Sequence, residues 1–402
     1  MADKNISNEN LIPDTSDVVK TEKKSGKKAK KKKNKVRIIL IIILIILIIV
    51  GIVATIGVGI IYHYIGKVNI VEETSSYEIL DSIAPDDDLT SEPDSPQEEI
   101  DKIEQSIKEN VEKKPNKKKN SKHVYTVVDG DETYTYDFSD ENVYNVLLIG
   151  TDARNNSDRG RSDSMILISI NDTTEQVVMT SFLRDIYLYI PEVESTRLNH
   201  AYAYGGPELL LDTLETNFKI PIDKYVQVDF YSFVTVVDAV GGVDIDVTDD
   251  EVQYINSYLN EINNLEGRDQ NADKLSSGGS YTLNGEQALA YSRIRYVGTD
   301  FGRTERQRTV LEQILRNMSS MGVSELKDLL DELLPNVTTN IQSDELFSLV
   351  LDSPSYLGYE RIQCRVPADG TWWNLTIRGM AVLGIDFNAN IRYLGQNIYN
   401  QY

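Results

Sequence analysis

The sequence predicts an α/β protein, an α/β/α sandwich with a central mixed sheet, preceded by a single N-terminal transmembrane helix and a stalk. Three observations support this class. Residues 38–61 form an uncharged run of 24 residues, which as a helix of about 36 Å would cross a hydrocarbon core of about 30 Å. Residues 62–123 are polar and charged, as in a solvated segment. From Val143 onward, strand-like and helix-like patterns alternate, which favours a mixed sheet covered on both faces.

The N-terminal region indicates how the chain is inserted in a membrane. Residues 1–37 carry a net charge of +7 and contain a lysine cluster just before the apolar run. By the positive-inside rule, this tail is cytoplasmic and everything after Tyr62 is extracytoplasmic. A cleaved signal peptide is the competing interpretation, but the charged leader and the apolar run are both too long for one. The sequence therefore predicts a single-pass protein of the cell membrane.

The composition of the chain limits which classes of partner and metal site are possible. The chain has 402 residues, a formal net charge of -22 and one cysteine, Cys364. Free nucleic acid is disfavoured as a partner, because binding it normally requires a basic face. A single cysteine excludes an internal disulfide and a cysteine-built zinc site. Its place in an apparent strand, residues 361–366, predicts a small buried hydrophobic residue.

Arginine use separates the last segment from the rest of the chain. Residues 143–402 carry 16 Arg, only 4 Lys and a net charge of -17, whereas the tail and the stalk use lysine almost exclusively. Solubility does not require arginine in particular, but the planar guanidinium suits bidentate recognition of phosphate and carboxylate. The sequence therefore predicts anion recognition within an acidic domain.

The elements follow in order. Residues 62–123 are predicted to be a flexible extracytoplasmic stalk, in which residues 97–113 form a short charged helix that lacks a wide apolar face. Residues 124–142 predict a hairpin that leads into the folded domain, residues 143–355, and residues 356–402 add a strand and a helix packed on it. The strands predicted from residue 143 onward are 143–149, 164–170, 176–181, 224–230 and 243–247, and the helices are 207–218, 231–240, 285–291, 303–318, 324–334, 344–351 and 388–399.

Acids and arginines gather where the first three strands of this domain begin or end. The pairs are Asp152 with Arg154, Arg161 with Asp163, and Arg184 with Asp185. Because neighbouring strand ends meet at one edge of a sheet, we expect these side chains to lie close together. Carboxylates flanked by guanidiniums would bind a hard cation such as Mg²⁺ together with substrate phosphates. The alternative is a polar hairpin and structural ion pairs, in which the charges neutralise one another.

A second set of arginines follows later in the chain. Arg293 and Arg295 alternate, so in an extended segment both would point to one face. Arg303 and Gln307 are four residues apart and share a helix face near the helix N-terminus, which favours anions. Arginines that converge on one pocket repel each other unless a multivalent anion binds there. The alternative is a set of unrelated surface arginines.

Several of these stretches occur together, in order, in a known family. They are LIGTDAR (residues 148–154), GRSDS (160–164), FLRD (182–185), LNHAY (198–202), GGV (241–243), LNGEQAL (283–289), RIR (293–295) and DFGRTERQ (300–307). On these motifs the chain resembles the LytR-CpsA-Psr family of cell-wall glycopolymer transferases. The resemblance implies an enzyme that takes a glycopolymer, of wall teichoic acid or capsular polysaccharide type, from an undecaprenyl pyrophosphate carrier. It would join the polymer through a phosphodiester to a sugar hydroxyl of peptidoglycan.

The resemblance also implies roles for individual residues. Asp152 and Asp163 look like ligands of Mg²⁺ (or Mn²⁺), and the pyrophosphate clamp looks like Arg154, Arg161, Arg184, Arg293, Arg295, Arg303 and Gln307. Such a set suits phosphoryl transfer, which needs positioning and charge neutralisation more than a covalent partner. Asp185 and Asp300 are the candidate general bases for the acceptor hydroxyl. Asn199 would hydrogen-bond the pyrophosphate or brace its loop, and His200 would be structural.

Other interpretations of the same residues remain open. A hydrolase that cleaves the pyrophosphate with water would need the same clamp, and a non-catalytic wall-binding or regulatory anchor would need none of its chemistry. The adjacent Trp372 and Trp373 would contact a glycan or a membrane interface, or pack at an edge. Apolar helix faces would line a polyprenyl groove or, more commonly, belong to the core. The residues concerned are Leu209, Leu210, Leu214, Val310, Leu311, Ile314 and Leu315.

Overall fold

The structure is a computed structural model that describes residues 58–72, 77–80, 82–83, 89–113, 123–129, 132–151, 159–265, 267–294, 299–318, 321–356 and 358–401. The predicted tail and most of the predicted membrane span therefore lie outside the described residues, as do Asp152, Arg154 and Arg295. Within the described ranges, no helix combines the length and the apolar character needed to cross a bilayer.

The strands form a central mixed sheet and several two-stranded sheets. In chain order they are β1 (Asn69–Ile70), β2 (Val124–Asp129), β3 (Glu132–Asp137), β4 (Val143–Thr151), β5 (Ser162–Asn171), β6 (Gln176–Phe182), β7 (Tyr187–Tyr189), β8 (Ser195–Arg197), β9 (Lys224–Asp229), β10 (Val243–Val247), β11 (Gly279–Leu283), β12 (Thr338–Thr339), β13 (Glu360–Val366), β14 (Trp372–Ile377) and β15 (Met380–Ile385). The central sheet has the order β1-β12-β9-β4-β5-β6-β13. Parallel pairs (β4 with β9, β6 with β13) and antiparallel pairs (β4 with β5, β5 with β6) both occur, so the predicted mixed sheet is confirmed.

Helices cover both faces of this sheet. They are α1 (Val58–Ile65), α2 (Gln97–Val111), α3 (Leu198–Phe218), α4 (Phe230–Ala239), α5 (Asp249–Leu265), α6 (Gly285–Arg293), α7 (Thr299–Met318), α8 (Val323–Leu333), α9 (Ser343–Tyr356) and α10 (Phe387–Tyr399). Successive residues of a strand point to opposite faces. Leu167 of β5 accordingly joins the core formed with α3 and α10, whereas its neighbour Ile168 packs with Tyr356 of α9. This alternation gives the α/β/α arrangement.

The strand register brings several strand ends to one edge of the sheet. Thr151 at the end of β4 pairs with Asp229 at the end of β9 and with Ser162 at the start of β5. Phe182 at the end of β6 pairs with Val366 at the end of β13. We call the edge formed by the ends of β4, β6, β9 and β13 and the start of β5 the carboxyl edge. Ligands of α/β proteins commonly bind at such an edge.

The helix predicted within residues 97–113 forms, but its predicted place in a solvated stalk is wrong. In α2, Ile103 and Ile107 have 0% and 3% of their surface exposed, and they belong to the main core. Glu104 accepts a 2.6 Å hydrogen bond from the Tyr187 hydroxyl. A narrow stripe of isoleucines, spaced at i, i+3 and i+7, is therefore enough to dock this charged helix.

The apolar helix faces belong to the core. Leu209, Leu210 and Leu214 of α3 lie in the main core, and each is 0% exposed. Val310 and Ile314 of α7 lie in a second core, which is formed with β10, β11 and the helices around them. These five residues therefore fill two separate cores and do not line a common groove. The side chains of Leu311 and Leu315 lie outside the described part of the chain.

Helix α3 begins earlier than the predicted position at Pro207. It starts at Leu198 and bends at Gly206, whose φ of 76° is non-helical. Glycine adopts such a φ without the steric cost that a Cβ imposes. Helix α5 has no counterpart among the predicted helices, whereas the β2–β3 hairpin and the burial of Cys364 in β13 are confirmed. Burial also raises the pKa of the Cys364 thiol.

Candidate functional site

An acid and an arginine from two strand ends form a buried ion pair at the carboxyl edge. Arg184, two residues past β6, donates from Nη1 to Oδ1 of Asp163, the second residue of β5, at 2.8 Å. Only 5% and 9% of the two side chains are exposed. The pair forms because β5 and β6 are antiparallel, which places the start of one beside the end of the other. The predicted convergence of Asp163 and Arg184 is confirmed.

Asp185 lies between two arginines. Its Oδ1 is 3.6 Å from Nε of Arg184 and 3.6 Å from Nε of Arg197. Arg197, the last residue of β8, has a 2% exposed side chain and donates from Nη2 to the carbonyl of Ala381 at 2.9 Å. The four residues Asp163, Arg184, Asp185 and Arg197 thus form one network, which we call the edge cluster. Two carboxylates and two guanidiniums balance its formal charge.

The start of α3 lies against the edge cluster. The Asn199 backbone N–H donates to the Arg184 carbonyl at 3.2 Å, and Asn199 is 1% exposed. Its Oδ1 has no hydrogen-bond partner within the described residues. Buried acceptors are rarely left without a donor, so this oxygen is a candidate contact for a ligand. His200 contacts Thr196 through Nδ1 at 3.0 Å and is buried, which agrees with its predicted structural role.

Arg161 lies at the same edge, directly before β5, and is half-buried. Gly160 before it has a φ of 67°, a left-handed conformation that a side chain at this position would strain. Arg159 donates to the Tyr204 carbonyl at 2.7 Å and to the Glu78 carbonyl at 3.1 Å. The segment before β5 is therefore held against α3, and it leads directly into β5, which carries Asp163.

Arg293 occupies a helix end, so the prediction that it lies in an extended segment is wrong. It is the last residue of α6, and the chain becomes extended only at Ile294. Its guanidinium carbon lies 4.2 Å from the ring centre of Tyr258 on α5, a cation–π contact. The structure therefore does not support the expectation that Arg293 and Arg295 point to one face of an extended segment.

Helix α7 carries the remaining predicted residues. Arg303 is 4% exposed and Gln307 is half-buried, and Asp300 lies in the first turn with its side chain outside the described part. Arg306, between them in sequence, donates from Nη2 to the Ile294 carbonyl at 2.6 Å and lies 3.4 Å from Oε1 of Glu251. Arg306 therefore ties the end of α6 to α7 and α5.

Two of the quoted motifs have structural roles. Asn284 and Gln287 form a capping box at the start of α6, where a Cβ on Gly285 would come within 2.5 Å of the Val234 carbonyl oxygen. Gly242 has a φ of 88°, and its carbonyl accepts a 2.7 Å hydrogen bond from the Asn317 side chain. These stretches bring α4, α6 and α7 together rather than supply reactive groups.

The described residues include half of the predicted cation ligands. Asp163 is present at the carboxyl edge, whereas Asp152 lies beyond the described residues. No group of three or more His, Cys, Asp or Glu residues within the described ranges is arranged to hold a metal ion. The oxygen donors that are present, the Asp163 carboxylate and the buried Asn199 amide oxygen, are of the type that Mg²⁺ prefers.

Arg197 is the site residue that sequence reasoning missed. It immediately precedes the LNHAY motif, but nothing in its neighbours marks it as a member of an ion-pair network. Its partners, Asp185 and Ala381, are 12 and 184 residues away along the chain. Spacing within one motif cannot show a contact to a hairpin so far along the sequence.

Comparison with known proteins identifies the family. The model of the LytR_cpsA_psr family matches residues 100–383, from α2 to β15. TagU of Enterococcus faecalis, named a polyisoprenyl-teichoic acid–peptidoglycan teichoic acid transferase, is 33% identical over 244 residues, 58% of this chain and 73% of that protein. Biofilm regulatory protein A of Streptococcus mutans is 33% identical over 235 residues, 55% of this chain and 54% of that protein.

A solved structure shows the same kind of fold. Protein gbs0355 from Streptococcus agalactiae aligns with a TM-score of 0.50 at 26% identity, over 66% of this chain and 90% of that one. The family model itself spans most of α2, every strand of the central sheet except β1, and most of the β14–β15 hairpin. The chain belongs to the LytR-CpsA-Psr family.

Proposed function

We propose that this chain is a membrane-anchored, extracytoplasmic phosphotransferase of cell-wall assembly. It moves a glycopolymer of wall teichoic acid or capsular polysaccharide type from an undecaprenyl pyrophosphate carrier to a sugar hydroxyl of peptidoglycan. The observation that carries the proposal is the buried edge cluster, in which Asp163 and Asp185 hold Arg184 at the carboxyl edge of the sheet. Membership of the family, and relatives named as teichoic acid transferases, support the choice of substrate class.

The proposed reaction is a displacement at phosphorus. The acceptor hydroxyl oxygen attacks the phosphorus that bears the polymer, a new P–O bond forms, and the bridging P–O bond of the pyrophosphate breaks. Undecaprenyl phosphate leaves, and the hydroxyl proton passes to a carboxylate, for which Asp185 and Asp300 are the candidates. Negative charge builds on the phosphoryl and leaving oxygens, and fixed guanidiniums stabilise it without having to reorganise.

The arginines act by position and charge. In the proposal, Arg184 and Arg161 at the carboxyl edge face the pyrophosphate with Arg154, while Arg303 and Gln307 of α7, Arg293 and Arg295 bind it from the other side. Asn199 contributes differently, because an amide oxygen and a phosphate oxygen are both acceptors. Its buried Oδ1 suits a ligand hydroxyl or a cation, so we propose that it contacts one of these rather than the phosphate itself.

A divalent cation, Mg²⁺ (or Mn²⁺), completes the proposed site. Asp152 and Asp163 are the residues that would hold it, and when bound it neutralises pyrophosphate charge. The hydrogen bond from Arg184 helps to fix the orientation of the Asp163 carboxylate. Removal of divalent ions with a chelator is expected to abolish transfer, and added Mg²⁺ to restore it.

The location of the site follows from the proposed anchor. Residues 38–61 would span the membrane with the basic tail in the cytoplasm, so the folded domain would meet lipid-linked donor and peptidoglycan outside. Peptidoglycan and the polyprenyl-linked polymer are the proposed partners. Cysteine labelling from each side of intact cells, at engineered positions in the tail and in the exposed part of α9, tests this topology. Labelling of both positions from the same side would contradict it.

The direct test uses detergent-solubilised full-length protein, lipid-linked donor and peptidoglycan. We expect polymer covalently attached to peptidoglycan, with much less product from Arg184→Met. Free phosphorylated glycan without attached polymer would support the hydrolase instead. If Arg184→Met protein, folded and membrane-localised, still supports polymer display in cells that lack redundant homologues, the non-catalytic anchor would be favoured.

A further inference from the structure

The β14–β15 hairpin is joined to the edge cluster by one buried arginine. Arg197 uses Nη2 to bind the Ala381 carbonyl of β15 at 2.9 Å, while its Nε lies 3.6 Å from Asp185 Oδ1. The side chain is only 2% exposed. A single guanidinium therefore links the hairpin, far along the chain, to the carboxylate that contacts Arg184.

Backbone contacts fix the same hairpin to the same segment. The Leu383 N–H donates to the Asp185 carbonyl at 2.8 Å, and Ile186 forms a parallel bridge with Leu383. Closer to Arg197 along the chain, Arg378 pairs with Glu194 at 2.7 Å and donates to the Ser195 carbonyl at 2.5 Å. The hairpin thus holds both the residues after β6 and the residues at the β7–β8 turn.

The electrostatics explain why this link matters for Arg184. Two buried guanidiniums repel each other strongly in a low-dielectric interior. Asp185 Oδ1 lies 3.6 Å from both, so its charge offsets the repulsion and fixes the distance between them. The Ala381 carbonyl holds Arg197 in turn, which leaves the Asp185 carboxylate fixed between two immobile cations. Arg184, which contacts both Asp163 and Asp185, is thereby held in one orientation.

We infer that Arg197 is a positioning residue, and that its contact with the Ala381 carbonyl of β15 helps to orient Arg184. This inference rests on the proposed function, in which Arg184 binds the pyrophosphate. Arg197 itself is buried and acts through Asp185. The role requires both of its contacts at once, because a cation that reached only Asp185 would not be held by the hairpin.

The test is a double-mutant cycle on the full-length protein with Arg197→Met, Asp185→Asn and the double variant. Misplacement of a catalytic group by about 1 Å costs on the order of 10²-fold in rate, so we expect Arg197→Met to lower kcat by about 10- to 100-fold with a smaller change in KM. In the Asp185→Asn background, the same substitution should cost less than about threefold, because its route to Arg184 is already lost. Arg197→Lys, which keeps the charge but not the two-sided contact, should recover only part of the rate.

A matched control lies in the same hairpin. Arg378→Met removes a link to the β7–β8 turn that does not contact Asp185, and it should leave kcat within about twofold. Circular dichroism and thermal unfolding of every variant separate misfolding from misplacement. Rate losses for Arg197→Met and Asp185→Asn that multiply independently, or an Arg197→Met enzyme with full activity, would overturn the inference.

A second readout separates this inference from the proposed function. The Kd of inorganic pyrophosphate for the same variants, measured by calorimetry, reports how well Arg184 is positioned and does not depend on polymer transfer. If the Arg197→Met and Asp185→Asn losses in pyrophosphate binding are coupled but the wild type transfers no polymer, the positioning role is upheld and the transferase proposal is contradicted. Additive losses in the cycle would contradict the positioning role, whatever the wild type transfers. A wild type that neither binds pyrophosphate nor transfers polymer would contradict both.

Discussion

The two ends of helix α3 each bury a cation, and only one of them lies at a candidate site. Arg197 directly precedes the helix and is 2% exposed, whereas Lys219 directly follows it and is 3% exposed. Arg197 contacts the Asp185 carboxylate and, through it, Arg184 and Asp163. Lys219 donates to the Thr216 carbonyl at 2.6 Å and lies 5.7 Å from the ring centre of Tyr125, and it pairs with no carboxylate within the described residues.

The consequences for charge differ accordingly. Burial, together with repulsion from Lys113, lowers the pKa of Lys219 to about 8. Its φ of 67° adds a left-handed conformation that is uncommon for a residue with a side chain. At the other end, opposite charges compensate each other. Burial of a charge alone therefore does not mark a functional site. A charge-balanced network at the carboxyl edge of the sheet, in contrast, can hold charged groups in place for a ligand.

The largest expected effect comes from the Arg197 end. Arg184→Met removes the guanidinium that contacts both Asp163 and Asp185. Loss of one electrostatic contact to a transition state typically costs about 10²- to 10³-fold in kcat, and that is the expected loss of transfer rate. Transfer kinetics with lipid-linked donor measure it, with exposed Arg316→Met as the control. Equal activity of the two variants would remove Arg184 from the mechanism.

A buried pair outside the edge tests whether ion pairing alone marks the site. Arg306→Met leaves Glu251 buried without its cation and removes the donor to the Ile294 carbonyl. Breaking a buried pair by removing one partner costs on the order of 3–5 kcal/mol, so a large loss of unfolding free energy is expected. Denaturant unfolding gives this value. The fraction that remains folded should transfer polymer at a rate closer to wild type than Arg184→Met does.

At the Lys219 end of α3, substitution of the buried cation is expected to raise stability rather than lower it. Lys219→Met removes a buried cation that pairs with no carboxylate of the described residues, so it should raise the unfolding temperature at neutral pH while transfer activity stays unchanged. The folded-state pKa of about 8 lies below the ordinary lysine value of 10.5, so between them the unfolded chain binds more protons and wild-type stability rises with pH. The advantage of Lys219→Met should therefore be full below pH 8 and shrink above it. A constant advantage across this range would contradict the lowered pKa.

The smallest effect is expected at the second arginine set. Tyr258→Leu removes the aromatic face that lies 4.2 Å from Arg293. A partly exposed cation–π contact is worth about 0.5–1 kcal/mol, so the KM for donor should rise by about two- to fivefold. Tyr258→Phe keeps the ring and should behave like wild type. If Tyr258→Phe and Tyr258→Leu lose activity alike, the hydroxyl rather than the ring face holds Arg293.

The sequence predicts the sheet centre and part of the edge cluster well. Alternating apolar residues locate β4, β5 and β6 to within about two residues, and neighbouring strand ends then imply that Asp163 and Arg184 meet. The direct hydrogen bond between these two side chains does not follow from motif spacing. It depends on the β5–β6 register, which a pattern along one strand does not show.

Other features depend on contacts distant in sequence. Helix α2 has little apolar surface, and it docks because three isoleucines meet a core built by α3 and α10. The end of α6 at Arg293 depends on packing against α5 and α7, whereas local alternation favours an extended segment. Arg197 acquires its role from Ala381, which lies 184 residues away. Each of these failures has the same cause, since tertiary contacts override local pattern.

The most direct test of the central claim follows the phosphorus that joins the polymer to its lipid. Donor labelled at this phosphorus is incubated with full-length protein, Mg²⁺ and peptidoglycan, and the label is then located. If the edge cluster performs phosphoryl transfer to peptidoglycan, the label becomes covalently bound to peptidoglycan with wild type and remains on the lipid with Arg184→Met. Label released as soluble glycan phosphate, or label that stays on the lipid with both proteins, would contradict the account.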